Sequence, residues 1–96
     1  MLLTAAFFAS GVPKTGLTPT VKIWDVIAST IALPATPMVE VGDGIYKYDF
    51  VGYVANNKYI FLFDGGPSLL PGERYLYSSN DLETATTTFG PIAEFS

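Results

Sequence analysis

Residues 42–50 read Gly-Asp-Gly-Ile-Tyr-Lys-Tyr-Asp-Phe, and this stretch decides the fold. On an extended chain its aromatic side chains, at positions 46, 48 and 50, point one way, and the residues between them point the other way. Such a period of two is typical of a β-strand with one buried face. The Gly-Asp-Gly triplet supplies the backbone freedom for a tight turn. The sequence therefore predicts a β-hairpin with strands at Met38–Val41 and Ile45–Phe50.

Further apolar runs follow on both sides of this hairpin, separated by turns rich in Gly, Pro and Asn. In the most hydrophobic run, Lys58–Phe63, the aromatic residues face one side while Ile60 and Leu62 face the other, so both faces need cover. The prolines of Ile27–Pro37 argue against a helix, and this segment is predicted to be an irregular or extended crossover. The other predicted strands are Leu2–Ala9, Val21–Val26 and Arg74–Tyr77.

Six or seven short strands separated by turn signals predict one all-β domain over residues 1–77, an immunoglobulin-like antiparallel β-sandwich. A small β-barrel is the alternative all-β fold. Residues 78–96 differ in composition from residues 1–77, because the polar spacer Ser78–Thr88 precedes the apolar end Phe89–Ser96. These residues are expected to form either an arm that docks elsewhere or a last strand of the same sheet.

The composition excludes several functional classes. The chain has 96 residues with no His and no Cys, which removes the commonest general base and thiolate metal ligands. The net charge is −4 and the five basic residues are scattered, so no nucleic-acid surface is expected. Only 15% of the residues are charged, which fits either an aromatic-rich core or a surface partly hidden in an assembly. The apolar run Met1–Ser10 is too short to span a membrane and lacks a preceding basic residue, so a retained strand is expected rather than a signal peptide.

Carboxylates are the only candidate catalytic residues in this sequence, and the residues around them favour structural roles. Asp43 and Asp64 are flanked by glycine and are expected to form turns, while Asp49 alternates outward on a solvated strand. Neither a hydrolase site nor a cofactor site is predicted. Neither Gly42-Asp43-Gly44 nor Asp64-Gly65-Gly66 matches the spacing of an EF-hand calcium loop. Asn80, Asp81 and Glu83 could add ligands if the loops meet, but no metal site is predicted.

Two strings resemble sequences of small structural proteins of tailed-phage virions. Residues 11–23 follow the pattern G-x-P-x-T-G-L-T-P-T-V-x-I, and residues 40–48 follow E-V-G-D-G-x-Y-x-Y. An aromatic strand ending in Asp-Gly-Gly at residues 64–66 completes the arrangement. The chain is also similar to the N-terminal β domain of siphophage baseplate upper proteins, in which a TG-x-T-x-T stretch opens a strand.

The resemblance implies a non-enzymatic structural subunit located in the virion, either a capsid-decorating or head-fibre protein or a tail adaptor. It implies contacts with copies of the same chain and with other virion proteins, such as the major capsid or tail proteins, and no catalytic residues. No nucleic acid or membrane is expected as a partner. The side chains expected at the assembly interface are Leu2, Leu3, Phe7, Phe8, Ile60, Leu62, Phe89, Ile92 and Phe95.

The competing class is a carbohydrate-binding or adhesin-type module with a glycan as its partner. Exposed aromatic rings can stack on sugar faces, and Trp24, Tyr53 and Tyr77 are the candidates for such a platform. Most aromatic residues of a small β domain belong to its core, however, so the structural role is the first prediction.

Overall fold

A computed structural model describes residues 1–80, which fold into antiparallel β-sheets with a single helical turn, α1, at Pro71–Arg74. The prediction of an all-β fold is confirmed for this part of the chain. The nine strands found in residues 1–80 are β1 (Leu2–Ala6), β2 (Phe8–Ala9), β3 (Val12–Pro13), β4 (Thr20–Asp25), β5 (Thr30–Pro37), β6 (Val39–Gly42), β7 (Ile45–Asp49), β8 (Tyr59–Asp64) and β9 (Tyr75–Ser79).

The strands form a three-stranded sheet in the order β1-β7-β6 and a four-stranded sheet in the order β5-β4-β8-β9. The short strands β2 and β3 pair only with each other and make a small hairpin. The chain passes from one large sheet to the other at Met38, whose backbone N–H donates to the carbonyl of Pro19 at 2.9 Å. Sheet membership therefore changes at one residue, directly after the predicted crossover Ile27–Pro37, and not at a long loop.

One hydrophobic core fills the space between the inner faces of the two large sheets. Aromatic rings meet edge to face within it, with ring centroids 5.9 Å apart for Phe7 and Tyr46 and 6.4 Å apart for Phe50 and Phe61. Such edge contacts suit the charge distribution of aromatic rings and add to the burial of their area. The core comprises Leu3, Ala5, Phe7, Val21, Ile23, Met38, Tyr46, Phe50, Tyr59, Phe61, Phe63, Leu69 and Leu76.

The predicted central hairpin is present as β6 and β7. Its two-residue turn places Asp43 and Gly44 at φ values of 52° and 78°, the positive values that a type I′ turn requires. Tyr46 and Phe50 are buried, and Lys47 on the other face is exposed. The period-two interpretation of this stretch is confirmed.

The region predicted to be a crossover contains the eight-residue strand β5, so of the two expectations the extended one holds. Pro34 and Pro37 are tolerated because β5 lies at the end of its sheet and pairs only with β4 among residues 1–80. The hydroxyl of Thr36 donates to the Pro34 carbonyl at 2.7 Å, which occupies one acceptor of this strand.

The structure also refines the predicted boundaries. Strand β9 continues to Ser79, two residues beyond the expected domain limit at Tyr77. The predicted strand Leu2–Ala9 is divided at Phe7 into β1 and β2, and β2 forms a hairpin with β3. The predicted C-terminal arm or last strand, from residue 81 onward, lies outside the described residues. No helix within residues 1–80 has the length and apolarity needed to cross a membrane.

Candidate functional site

One of the carboxylates singled out in the sequence, that of Asp64, serves the fold. Asp64 accepts hydrogen bonds from Nε and Nη2 of Arg74 at 2.6 and 3.0 Å and from the backbone N–H of Gly66 at 2.9 Å. The hydrogen bond from the Arg74 guanidinium lowers the pKa of Asp64 below its ordinary value, against a smaller opposing effect of burial. This pair fastens the residue before β9 to the end of β8, which is a structural role.

Asp25 is held in a similar way at the opposite end of β8. It accepts the backbone N–H of Ala28 at 3.0 Å and the side-chain amide of Asn57 at 2.8 Å, and these bonds lower its pKa. Asn80, considered as a cation ligand, accepts the backbone N–H of Tyr59 at 2.8 Å through its side-chain oxygen. Within residues 1–80 no group of three or more His, Cys, Asp or Glu could hold a metal ion. The other two candidate ligands, Asp81 and Glu83, lie outside the described residues.

The most distinctive surface is the outer face of the four-stranded sheet. Trp24 on β4 lies between Ile31 on β5 and Ile60 on β8, and Lys22 on β4 lies beside Leu62 on β8. Leu62 in turn lies beside Tyr77 on β9. Because cross-strand neighbours share a face, these side chains form one continuous surface. We call this surface the outer patch, and it consists of Lys22, Trp24, Ile31, Ile60, Leu62 and Tyr77.

The outer patch is apolar and accessible. Trp24 and Ile31 are 39% and 45% exposed, and Ile60 and Leu62 are half-buried. An antiparallel sheet with one face on the core normally turns polar residues toward water on the other face. A contiguous apolar surface in that position is a feature of interaction sites.

Lys22 is the one charged residue among the six that define the outer patch. Its ammonium lies 5.2 Å from the centroid of the Trp24 ring, within the range of a cation–π interaction. No carboxylate of residues 1–80 forms an ion pair with it. The patch therefore combines an apolar surface with a cation that a carboxylate of another molecule could neutralise.

The structure divides the predicted interface residues into four groups. Ile60 and Leu62 lie on the outer patch, whereas Leu2 and Phe8 are exposed elsewhere. Leu3 and Phe7 are corrected to core residues, because the alternation along β1, which continues into the next residue, turns both side chains inward and makes them inaccessible to a partner. The remaining predicted residues, Phe89, Ile92 and Phe95, lie outside the described residues.

Sequence reasoning missed Ile31 and did not assign Trp24 to an interface. Val21 and Ile23 alternate with Lys22 and Trp24 along β4, so the two pairs face opposite sides of the sheet. Because both aliphatic side chains are fully buried, this alternation is the signal that assigns Trp24 to the outer face. No comparable signal marks Ile31, since nearly all of β5 is exposed.

The three aromatic residues proposed as a sugar platform do not lie together. Tyr53 is half-buried and packs against Phe50 and Tyr59, with ring centroids 6.3 and 5.8 Å away. Trp24 and Tyr77 are exposed on the outer patch, separated by strand β8. Only these two of the three are therefore accessible to a ligand.

Comparison of the chain with protein-family models, with curated proteins and with solved structures finds no match.

Proposed function

We propose that this chain is a non-enzymatic structural subunit of a phage virion, a capsid-decorating or tail-associated protein that binds copies of itself and other virion proteins. The observation that supports this proposal is the apolar outer patch, which offers a binding surface without catalytic groups. The virion assignment itself rests on the sequence resemblance of residues 11–66 to tailed-phage structural proteins.

The size of the outer patch fits a contact that is repeated many times. Four strands about 4.8 Å apart and about six residues long give a sheet face of roughly 20 Å by 20 Å. Such a face is at or below the small end of specific protein interfaces, which bury about 600 Å² or more per partner. A single contact of this size is weak, and an assembly gains strength from several contacts acting together.

We further propose that the two sheets form an immunoglobulin-like sandwich. In that assignment β1-β7-β6 corresponds to strands B-E-D and β5-β4-β8-β9 to strands C′-C-F-G. Tyr59 at the start of β8 supports it, because its hydroxyl accepts the backbone N–H of Val54, five residues upstream, at 3.2 Å. A tyrosine so placed at the start of strand F is a feature of immunoglobulin domains. No strand in residues 1–80 takes the position of strand A.

The alternative is a carbohydrate-binding or adhesin-type module, favoured by the exposure of Trp24 and Tyr77 on one sheet face. The position of Lys22 argues against it, because the lysine ammonium lies over the Trp24 ring that a sugar would need for stacking. A structural subunit, which needs no bare ring face, remains the first proposal.

The test is to replace Ile60 and Leu62 together with serine and to compare molecular masses by light scattering over a concentration series. Wild-type protein is expected to associate, and the double variant is expected to remain monomeric with the same circular dichroism spectrum. Val51→Ser is the matched control, because Val51 is 87% exposed in the loop after β7 and lies outside the outer patch.

Two results would contradict the proposal. If the double variant unfolds, Ile60 and Leu62 serve the core and not an interface. If wild-type protein is monomeric throughout and binds a glycan array through Trp24, the carbohydrate-binding alternative is the better explanation.

A further inference from the structure

The outer patch needs a partner that brings a carboxylate. Lys22 is half-buried among apolar side chains, and no carboxylate of residues 1–80 forms an ion pair with it. Asp64 lies on the same sheet face, two residues after Leu62, but Arg74 and the backbone N–H of Gly66 already occupy its carboxylate. Two copies joined patch to patch would therefore bury two ammonium groups without compensation, which is costly. The surface that covers the patch must differ from it and must combine apolar side chains with a negative charge.

The carboxylates of residues 1–80 are poor candidates for this role. The Asp43 carboxylate has no hydrogen bond or ion pair within the described part of the chain, but glycines flank it in the turn between β6 and β7, so no apolar side chain adjoins it in sequence. The other carboxylates already accept a hydrogen bond or form an ion pair, and they are Asp25, Glu40, Asp49, Asp64 and Glu73.

The required combination occurs in residues 89–95, which read Phe-Gly-Pro-Ile-Ala-Glu-Phe and lie outside the described residues. Three large apolar side chains accompany Glu94 in this segment. Seven extended residues span about 23 Å, close to the width of roughly 20 Å given by the four strands of the patch. Pro91 has no backbone N–H to donate, so this composition suits binding through side chains to a sheet face better than pairing with a sheet edge.

The chain passes from the described domain toward this segment at the margin of the outer patch. Ser79 pairs with Ile60 of the patch, and Asn80 follows directly. The Asn80 side chain accepts the backbone N–H of Tyr59 at 2.8 Å and donates to the carbonyl of Asn57 at 2.9 Å, which fixes the exit point. Residues 81–88 then span up to about 26 Å when extended. This length exceeds the width of the patch, so the segment can reach a neighbouring copy.

We propose that residues 89–95 of one copy bind the outer patch of a second copy, with Glu94 of the first copy paired to Lys22 of the second. The large apolar side chains of the segment then cover the apolar side chains of the patch. This inference rests on the proposed function, since it names what occupies the outer patch. Each copy supplies a segment and offers a patch, so the contact is heterologous and its repetition builds a ring or an open filament.

The experiment uses full-length chains carrying Lys22→Glu, Glu94→Lys or both substitutions, with masses measured by light scattering at low salt and folding checked by circular dichroism. Each single variant is expected to associate about tenfold more weakly than wild type, because it sets like charges against each other across the contact. The chain carrying both substitutions is expected to recover association. Glu83→Lys is the matched control, because it makes the same charge change in the polar spacer, and it is expected to stay within about twofold of wild type.

An equimolar mixture of the two single variants separates binding between copies from binding within one chain. In the mixture the substituted segment of Glu94→Lys meets the substituted patch of Lys22→Glu, and the two unsubstituted partners also meet. Both contacts then join opposite charges, so association is expected to return to about the wild-type level. A segment that binds only the patch of its own chain gives no such recovery.

The inference is overturned if Glu94→Lys associates as strongly as Glu83→Lys does, or if the mixture does not recover association. If Lys22→Glu does not fold, the comparison of Glu94→Lys with Glu83→Lys decides the matter. Wild-type association of Phe89→Ser/Ile92→Ser/Phe95→Ser, combined with loss of association in Ile60→Ser/Leu62→Ser, would reject this inference and retain the proposed function.

Discussion

Tyr46 shows at the scale of a single residue how a polar group is accommodated in this core. The residue is fully buried, and its hydroxyl accepts the backbone N–H of Leu17 at 3.1 Å and donates to the carbonyl of Lys14 at 2.9 Å. The long loop before β4 is therefore anchored by the strand that the sequence identified first. The alternation of residues 45–50 predicted the burial of this ring, but no pattern in the sequence predicted its hydrogen-bond partners, which lie about 30 residues earlier.

We expect Tyr46→Phe to lower the free energy of unfolding by about 1–3 kcal/mol, because it leaves one donor and one acceptor of the loop without their partner. Tyr48→Phe is the control, since Tyr48 is only half-buried on the same strand. Its effect is expected to stay within about 0.5 kcal/mol. Urea denaturation measures both values, and equal effects of the two substitutions would show that the Tyr46 hydroxyl does not anchor the loop.

The pair of Asp64 and Arg74 makes a prediction about pH. Because the Arg74 guanidinium lowers the pKa of Asp64 in the folded chain, the folded state binds this proton less readily than the unfolded state does. The stabilisation is thus complete above the pKa of about 4 in the unfolded chain and is lost as the pH falls through the lower folded value. Both groups are partly exposed, so its size is no more than about 1 kcal/mol.

We therefore expect the stability of the wild-type chain to fall between about pH 5 and pH 2, and to fall less steeply in Asp64→Asn. Asp43→Asn is the control, because it removes a carboxylate that has no hydrogen bond or ion pair within residues 1–80. Urea midpoints at several pH values provide the measurement. A slope in Asp64→Asn equal to that of wild type would mean that other carboxylates account for the acid sensitivity.

At the scale of the element, strands with two chemically different faces were predictable, and strands without them were not. The alternation in β8 separates Phe61 from Leu62, and the structure buries the first and leaves the second partly exposed. In β1 both faces are apolar, so the sequence could not tell that Leu3 belongs to the core and Leu2 to the surface. In β5 nearly every residue is exposed and no period exists, since a strand at the end of a sheet has little apolar surface to bury.

The contrast between neighbouring strands β4 and β5 can be tested by truncating one isoleucine on each. Ile23 is fully buried, and Ile23→Ala is expected to cost about 2–5 kcal/mol because it leaves a cavity in the core. Ile31 is 45% exposed on the outer patch, and Ile31→Ala is expected to change monomer stability by less than about 0.5 kcal/mol. Thermal and urea unfolding of dilute protein measure both, and a large loss in Ile31→Ala would place Ile31 in the core.

At the scale of the whole molecule, strand order is what creates the outer patch. Trp24 and Ile60 are 36 positions apart in the sequence, and they become neighbours only because β4 pairs with β8. The sequence predicted which residues of each strand share a face, but it did not specify which strands are adjacent. For the same reason it did not predict that the hairpin at Gly11 would pack beside the Asp43 turn, since both contacts depend on long-range pairing.

The central claim is that this chain associates through the outer patch, and the emission of its single tryptophan tests that claim most directly. Trp24 lies in the patch, partly exposed to water, so its emission reports on that surface alone. As the protein concentration rises and light scattering records association, the emission maximum is predicted to shift to shorter wavelength because the ring loses contact with water. An increase in mass with no change in Trp24 emission would show that the chain associates through a different surface, which would contradict the central claim.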